Sequence, residues 1–165
     1  MLCAFSFGSA PLVSSGFSSG ASDTTAPIIS AATVVSITSS GAIVQASTDE
    51  GNGTFYIVIS TSVTTPSATQ IIAGQDHTGS AAIFSGNTSV IATGTVSRAA
   101  SGLSASTAYY SHMVHRDAAN NNSNTLSTAQ FTTSAGGGDV TPPVISSVTI
   151  SSISATGGLV SASTD

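Results

Sequence analysis

The end of this chain repeats its beginning. Asp23 to Asp49 reads DTTAPIISAATVVSITSSGAIVQASTD, and Asp139 to Asp165 reads DVTPPVISSVTISSISATGGLVSASTD. The two 27-residue stretches align without a gap at an offset of 116, with 14 identical positions. Self-similarity at a fixed period marks arrays of like modules. The 165 residues then hold one whole module and the start of a second. The first copy runs on into Glu50 and a hairpin, so a longer tandem protein is expected, of which this chain is a fragment. The expected divisions are an arm over residues 1–22, a module over 23–134, a glycine linker over 135–138 and a second, truncated module over 139–165.

A period of 116 suits one β-sandwich, which runs to ~100 residues. Pro27 opens a β-branched run, Ile28 to Ile37, at the strand start where its missing N–H costs least. Ser39-Ser40-Gly41 turns the chain into a second strand, Ala42 to Ser47, with Val44 and Ala46 on one face and Ile43 and Gln45 on the other. After the turn Asp49 to Gly53, the continuous apolar run TFYIVIS (Thr54 to Ser60) predicts a central strand. Pro66 to Gly74 predicts one short helix with a glycine stop. Strands are expected again over Ala81 to Phe84, Ser89 to Ser97, Thr107 to Arg116 and Leu126 to Thr133, with a turn at Asn120 to Asn124. The fold class is all-β: a sandwich with a short helix inserted mid-domain.

Charge is scarce, with two Arg, no Lys and seven Asp or Glu. Nucleic-acid binding needs clustered cations, so a nucleic-acid partner is excluded. One cysteine, Cys3, cannot make an intrachain disulfide. No run nears the roughly 20 apolar residues of a membrane helix, so no membrane span is expected. The N-terminus has a short apolar patch but no cation ahead of it, unlike a secretory signal. Within the Gly/Ser-rich arm, Leu2, Phe5, Phe7, Leu12, Val13 and Phe17 are anchors that a pure linker lacks. The arm is expected to order against a neighbour; the alternative is a floppy tail.

GLSASTAYY, Gly102 to Tyr110, resembles the strand E-to-F corner of fibronectin type III domains. Leu103, Thr107 and Tyr109 hold its alternate positions, with Ala105 where proline is usual. The resemblance implies that Tyr109 is the corner tyrosine, its hydroxyl bonded to nearby backbone. HRDAANNNSN, His115 to Asn124, is similar to the end of strand F in the same superfamily, with Asn121 where glycine is common and positive φ is tolerated. STDEGNGTFY, PSATQIIAGQDHTG and TAYYSHMVHRDAANNNSN together resemble a repeat of tailed-bacteriophage structural proteins. That resemblance covers about Asp23 to Thr133 and restarts at Asp139. It implies a virion protein, which reconciles a chain resembling an extracellular repeat with the lack of an export signal.

Asp49, Glu50, Asp117 and Asn120, Asn121 and Asn122 fall in loops at one end of such a sandwich. Their oxygens suit calcium, which takes six to eight, or ligand contact. The alternative is a surface ion pair of Arg116 with Asp49 or Glu50, worth little. Apart from calcium no cofactor or metal is expected. His112 and His115 alternate on a strand, so they point to opposite faces and share no metal; His115 is expected in the core and His112 at the surface. Asp76-His77 is expected to be an Asx-type turn rather than part of a catalytic triad. Three Asn-X-Ser/Thr triplets, at Asn52, Asn87 and Asn121, are expected by chance in so Ser/Thr/Asn-rich a chain.

The sequence therefore predicts a non-enzymatic virion structural protein, a head or tail fibre or decoration component. The arm would dock on capsid or tail proteins and the repeats would project toward host-surface glycan or envelope. Multiple copies, or a homo-oligomer, would make weak contacts sufficient. The alternative is a bacterial surface adhesin or extracellular filament subunit of the same repeats. A third option, a carbohydrate-binding module of a secreted enzyme, is opposed by the lack of Trp and by only three Tyr.

Overall fold

The structure, a computed structural model, describes residues 22–137 and 142–164. The arm residues Leu2, Phe5, Phe7, Leu12, Val13 and Phe17 lie outside the described residues, as do Asp139 and Asp165.

The described chain is mostly antiparallel sheet with one short helix. One sheet orders β1 (Ile29–Val35), β2 (Gly41–Thr48) and β5 (Gly94–Ser101). The other orders β4 (Phe84–Ser89), β3 (Thr54–Ser60), β6 (Ala108–Arg116) and β7 (Leu126–Ser127), with β8 (Phe131–Thr132) also paired to β6. The two sheets bury their inner faces in one core, a sandwich-like arrangement. Alternation supplies that core: Ile29, Val44, Ala46 and Val96 come from one sheet, and Phe55, Ile57, Ile59, Tyr109 and Met113 from the other.

The run TFYIVIS is apolar throughout because its strand is buried on both faces. Helix α1 (Ala68–Ile72) lays Ile71 over the outer face, against Val58 and Val114. Ser67 caps it: its hydroxyl accepts from the Gln70 N–H at 3.3 Å, and Gln70 Oε1 accepts from the Ser67 N–H at 2.9 Å. This reciprocal box satisfies two donors that a five-residue helix would otherwise leave open.

The strands expected over Ala81 to Phe84 and Ser89 to Ser97 are displaced toward the C-terminus, and the last strand is split. β4 begins at Phe84 and runs through Ser89, and Ala92-Thr93 turn the chain into β5 at Gly94. Between β7 and β8 Thr128 still donates its N–H to the Ser111 carbonyl at 3.0 Å, and the pairing with β6 breaks at residues 129–130.

β9 (Ile145–Ser154) and β10 (Gly157–Thr164) pair as a two-stranded sheet of their own. Ile145 faces Thr164, Thr149 faces Ser161 and Ile150 faces Val160. These pairs are Ile29–Thr48, Thr33–Gln45 and Val34–Val44 of β1–β2, displaced by the sequence offset. Irregularities recur too, with positive φ at Ala31 (53°) and Ser147 (54°), and at Ser36 (50°) and Ser152 (53°). A bulge reproduced in place fixes the same register and the same division of side chains between the two faces of the hairpin.

Candidate functional site

At the Asp23 end of the sandwich, carboxylate oxygens of Asp23, Glu50 and Asp117 lie within 4.8 Å of one another. Asp117 is held by Asn121, whose main-chain N–H donates to Oδ1 at 2.7 Å and whose Nδ2 donates to Oδ2 at 2.8 Å. The same Nδ2 reaches the carbonyls of Asp23 at 3.1 Å and Thr25 at 3.3 Å, tying the segment before β1 to the loop after β6. Burial works against the Asp117 charge, yet these hydrogen bonds hold its carboxyl below the ordinary range. Glu50 goes the other way: burial, then the charges of Asp117 and Asp23, push its carboxyl up. Two carboxylates side by side are thus driven apart in acidity.

The remaining predicted residues of the loops do other things. Asp49 Oδ1 accepts from the Ile28 N–H at 2.7 Å and pins the entry to β1. Asn122 bridges back to Arg116. Positive φ falls on Asn120 (74°) rather than on Asn121, whose main chain caps Asp117. Loop placement alone does not bring in Asp23, although its recurrence as Asp139 marks it. The Arg116 Nε is buried without a hydrogen-bond partner, so that nitrogen makes no bond to Asp49 or Glu50.

Since Glu50 carries its charge against burial and like-charged neighbours, Glu50→Gln is expected to raise the melting temperature at neutral pH. The gain should vanish as pH falls through the range where Glu50 itself protonates. Thermal melts at pH 7 and below pH 4 check this; an unchanged melting temperature at both would contradict it.

Both central histidines are buried, which corrects the expected surface position of His112. The strand alternation is obeyed, but the outer face at His112 is closed by the segment after β3 and by β7, whose Ser62 and Ser127 bond the ring. Its Nε2–H donates to the Ser62 carbonyl at 3.1 Å, and its Nδ1 accepts from the Ser127 hydroxyl at 2.7 Å. On the inner side, His115 Nε2–H donates to the Asn52 carbonyl at 2.6 Å, leaving Nδ1 to accept from the Thr48 hydroxyl at 2.8 Å. Each ring uses both nitrogens as a cross-tie between strand and loop.

Burial lowers the His112 pKa below 6.5, only partly opposed by the Ser62 carbonyl. Between 6.5 and that lower folded value, the unfolded chain binds a proton that the folded chain refuses. Stability should therefore fall as pH drops through the window just below 6.5 and level off beneath it. Melting temperatures from about pH 7.5 down to about pH 5.5, with His112→Gln flattening that part of the profile, check the assignment.

Asp76 forms the expected turn: its Oδ1 accepts from Thr78 N–H at 2.8 Å, from the Thr78 hydroxyl at 2.6 Å and from Ser80 N–H at 3.2 Å. The Thr78 hydroxyl is the main reason its carboxyl is lowered. At the other end of the sandwich, Tyr109 Oη accepts from the Ser104 N–H at 3.0 Å, while its ring packs 6.0 Å from that of Phe131. Leu103 is buried beside it, and the Thr107 hydroxyl donates to the Ala105 carbonyl at 2.9 Å. Tyr109→Phe should cost about 1–2 kcal/mol, because it strands the Ser104 N–H while keeping the ring. Urea unfolding measures it.

No helix among the described residues is long and apolar enough to cross a membrane. No protein-family model matches the chain, and no curated protein matches it significantly.

Proposed function

We propose that this chain is a non-enzymatic structural protein of a virus particle, built of fibronectin type III-like sandwiches in tandem. The observation that carries the modular part is the recurrence of the β1–β2 hairpin as β9–β10, in register, bulge and backbone signs. A protein whose sequence is invested in repeating a scaffold presents surface at regular intervals. The strand order β1-β2-β5 against β4-β3-β6-β7 and the Tyr109–Ser104 bond support the fibronectin type III assignment. The polar side chains near the predicted loops are engaged in holding the fold. Asp76 closes its own turn, His112 and His115 cross-tie strands, and Asp117 is capped by Asn121.

In this proposal residues 1–22 dock on a head or tail protein, and the sandwiches project as a fibre or decoration. Many weak contacts to a host surface, with glycan or envelope as ligand, then add through multiplicity. The acidic end carrying Asp23, Glu50 and Asp117 is where a calcium ion would be held if the protein uses one.

An antibody against residues 22–137 tests the reading on purified particles and on intact bacterial cells. Labelling of particle heads or tails is the expected result. Labelling of cell surfaces with bare particles would transfer the same modules to an adhesin or filament and overturn the virion assignment.

A further inference from the structure

The hairpin β9–β10 exposes a row of large apolar side chains that its twin buries. Ile145, Val148, Ile150 and Val160 are 61–64 % exposed. Their counterparts Ile29, Ala32, Val34 and Val44 face the core, with Ile29 and Val44 at 2 % and 0 %. Ala162 and Thr164 correspond likewise to the buried Ala46 and Thr48. Identical register places all six on one face of β9–β10.

We propose that this face is a docking face, and that its partner is an antiparallel sheet with the inner-face chemistry of β3 and β6, seated as that sheet sits on β1–β2. The proposal rests on the tandem-repeat reading and deepens it by naming the partner surface. The first interface specifies what the partner must carry. Phe55, Ile57, Ile59 and Met113 supply bulky apolar cover for Ile29, Val44 and Ala46. Asn124 clasps the Ile29 main chain from both sides, donating to its carbonyl and accepting from its N–H, each at 3.1 Å. His115 receives the Thr48 hydroxyl at 2.8 Å. Ile145 and Thr164 offer the same groups at the same places, so the partner needs an amide side chain for Ile145 and an acceptor nitrogen for Thr164. A second intact copy is a poor partner. Its β3–β6 face is already filled by its own β1–β2, and exchanging hairpins would uncover as much apolar surface as it buries.

The test joins a second copy of residues 50–134 directly after Asp165 of the full chain and follows amide hydrogen exchange. The expected result is protection of residues 145–164 by at least about 100-fold over the unextended chain. The added segment should gain protection together with them. Val160→Asp in the extended chain should abolish that protection and leave residues 22–137 unchanged. Exchange of residues 145–164 at the unextended rate would overturn the proposal. So would protection of the hairpin in the unextended chain at dimer mass, since the partner would then be a second copy. Particle labelling and hairpin protection are independent readouts, so failure of the virion assignment is distinguishable from failure of this docking.

Discussion

Replacing Phe55 by Ala should lower the unfolding free energy by about 3–5 kcal/mol, the largest single-residue loss expected from the core. Phe55 is completely buried near the start of β3, between Thr88 of β4 and His115 of β6. Its ring helps fill the space between the two sheets, where Val44, Tyr109 and Met113 belong to the same cluster. A rigid ladder on both sides keeps the strand from collapsing into the cavity, so the lost contacts are not recovered. A domain of this size holds roughly 5–15 kcal/mol in total, so the variant should sit near the edge of folding at ambient temperature. Urea denaturation should show a much lower midpoint with an unchanged slope. A loss below about 1 kcal/mol would mean that the sheets are not packed through this residue.

Gly53→Ala should be nearly as damaging, for a backbone reason. Gly53 adopts φ +103°, where a side chain is strained whatever the space. A Cβ there would run into the Arg116 carbonyl oxygen and stand 2.6 Å from the Asp117 Cα. Both obstacles are main chain, so neither can swing away as a flexible side chain would. Strain of about 1–3 kcal/mol from the conformation is joined by the cost of moving β6 away from β3. The Gly53 carbonyl also accepts the Val90 N–H at 3.0 Å, so the displacement spreads into the approach to β5. Gly94→Ala is the informative comparison: its φ is also positive, +112°, but a Cβ meets nothing within 4 Å. Thermal melts of the pair separate strain from collision. Equal losses would contradict the collision.

The alternation of Val44 and Ala46 against Ile43 and Gln45 makes β2 and its inward face legible from the residues alone. The repeat does more, because it marks the boundaries of β1 and β2 twice. What escapes is the outer layer. A five-residue helix buries only Ile71 fully, too little to announce itself as a lid, and the serines that close over His112, Ser62 and Ser127, carry no apolar signal, so His112 looks solvent-facing by parity alone. Parity identifies the face on which a residue lies and is silent about what covers that face. The TFYIVIS run holds the missing signal, since Val58 needs a reason to be apolar opposite Ile57 and Ile59. The acidic end is half legible: Asp117 and Glu50 follow from loop placement. Asp23 enters only because Asn121 draws the segment ahead of β1 across the end of the sandwich. Long-range ties of that kind have no local sequence pattern.

Cryo-electron microscopy of virus particles labelled by the antibody against residues 22–137 tests the proposed virion role most directly. The account predicts sandwich-shaped density for residues 23–134 projecting from the particle, with residues 1–22 ordered against a head or tail protein. Copies packed head-to-tail with one another, and no other protein touching the first 22 residues, would contradict it.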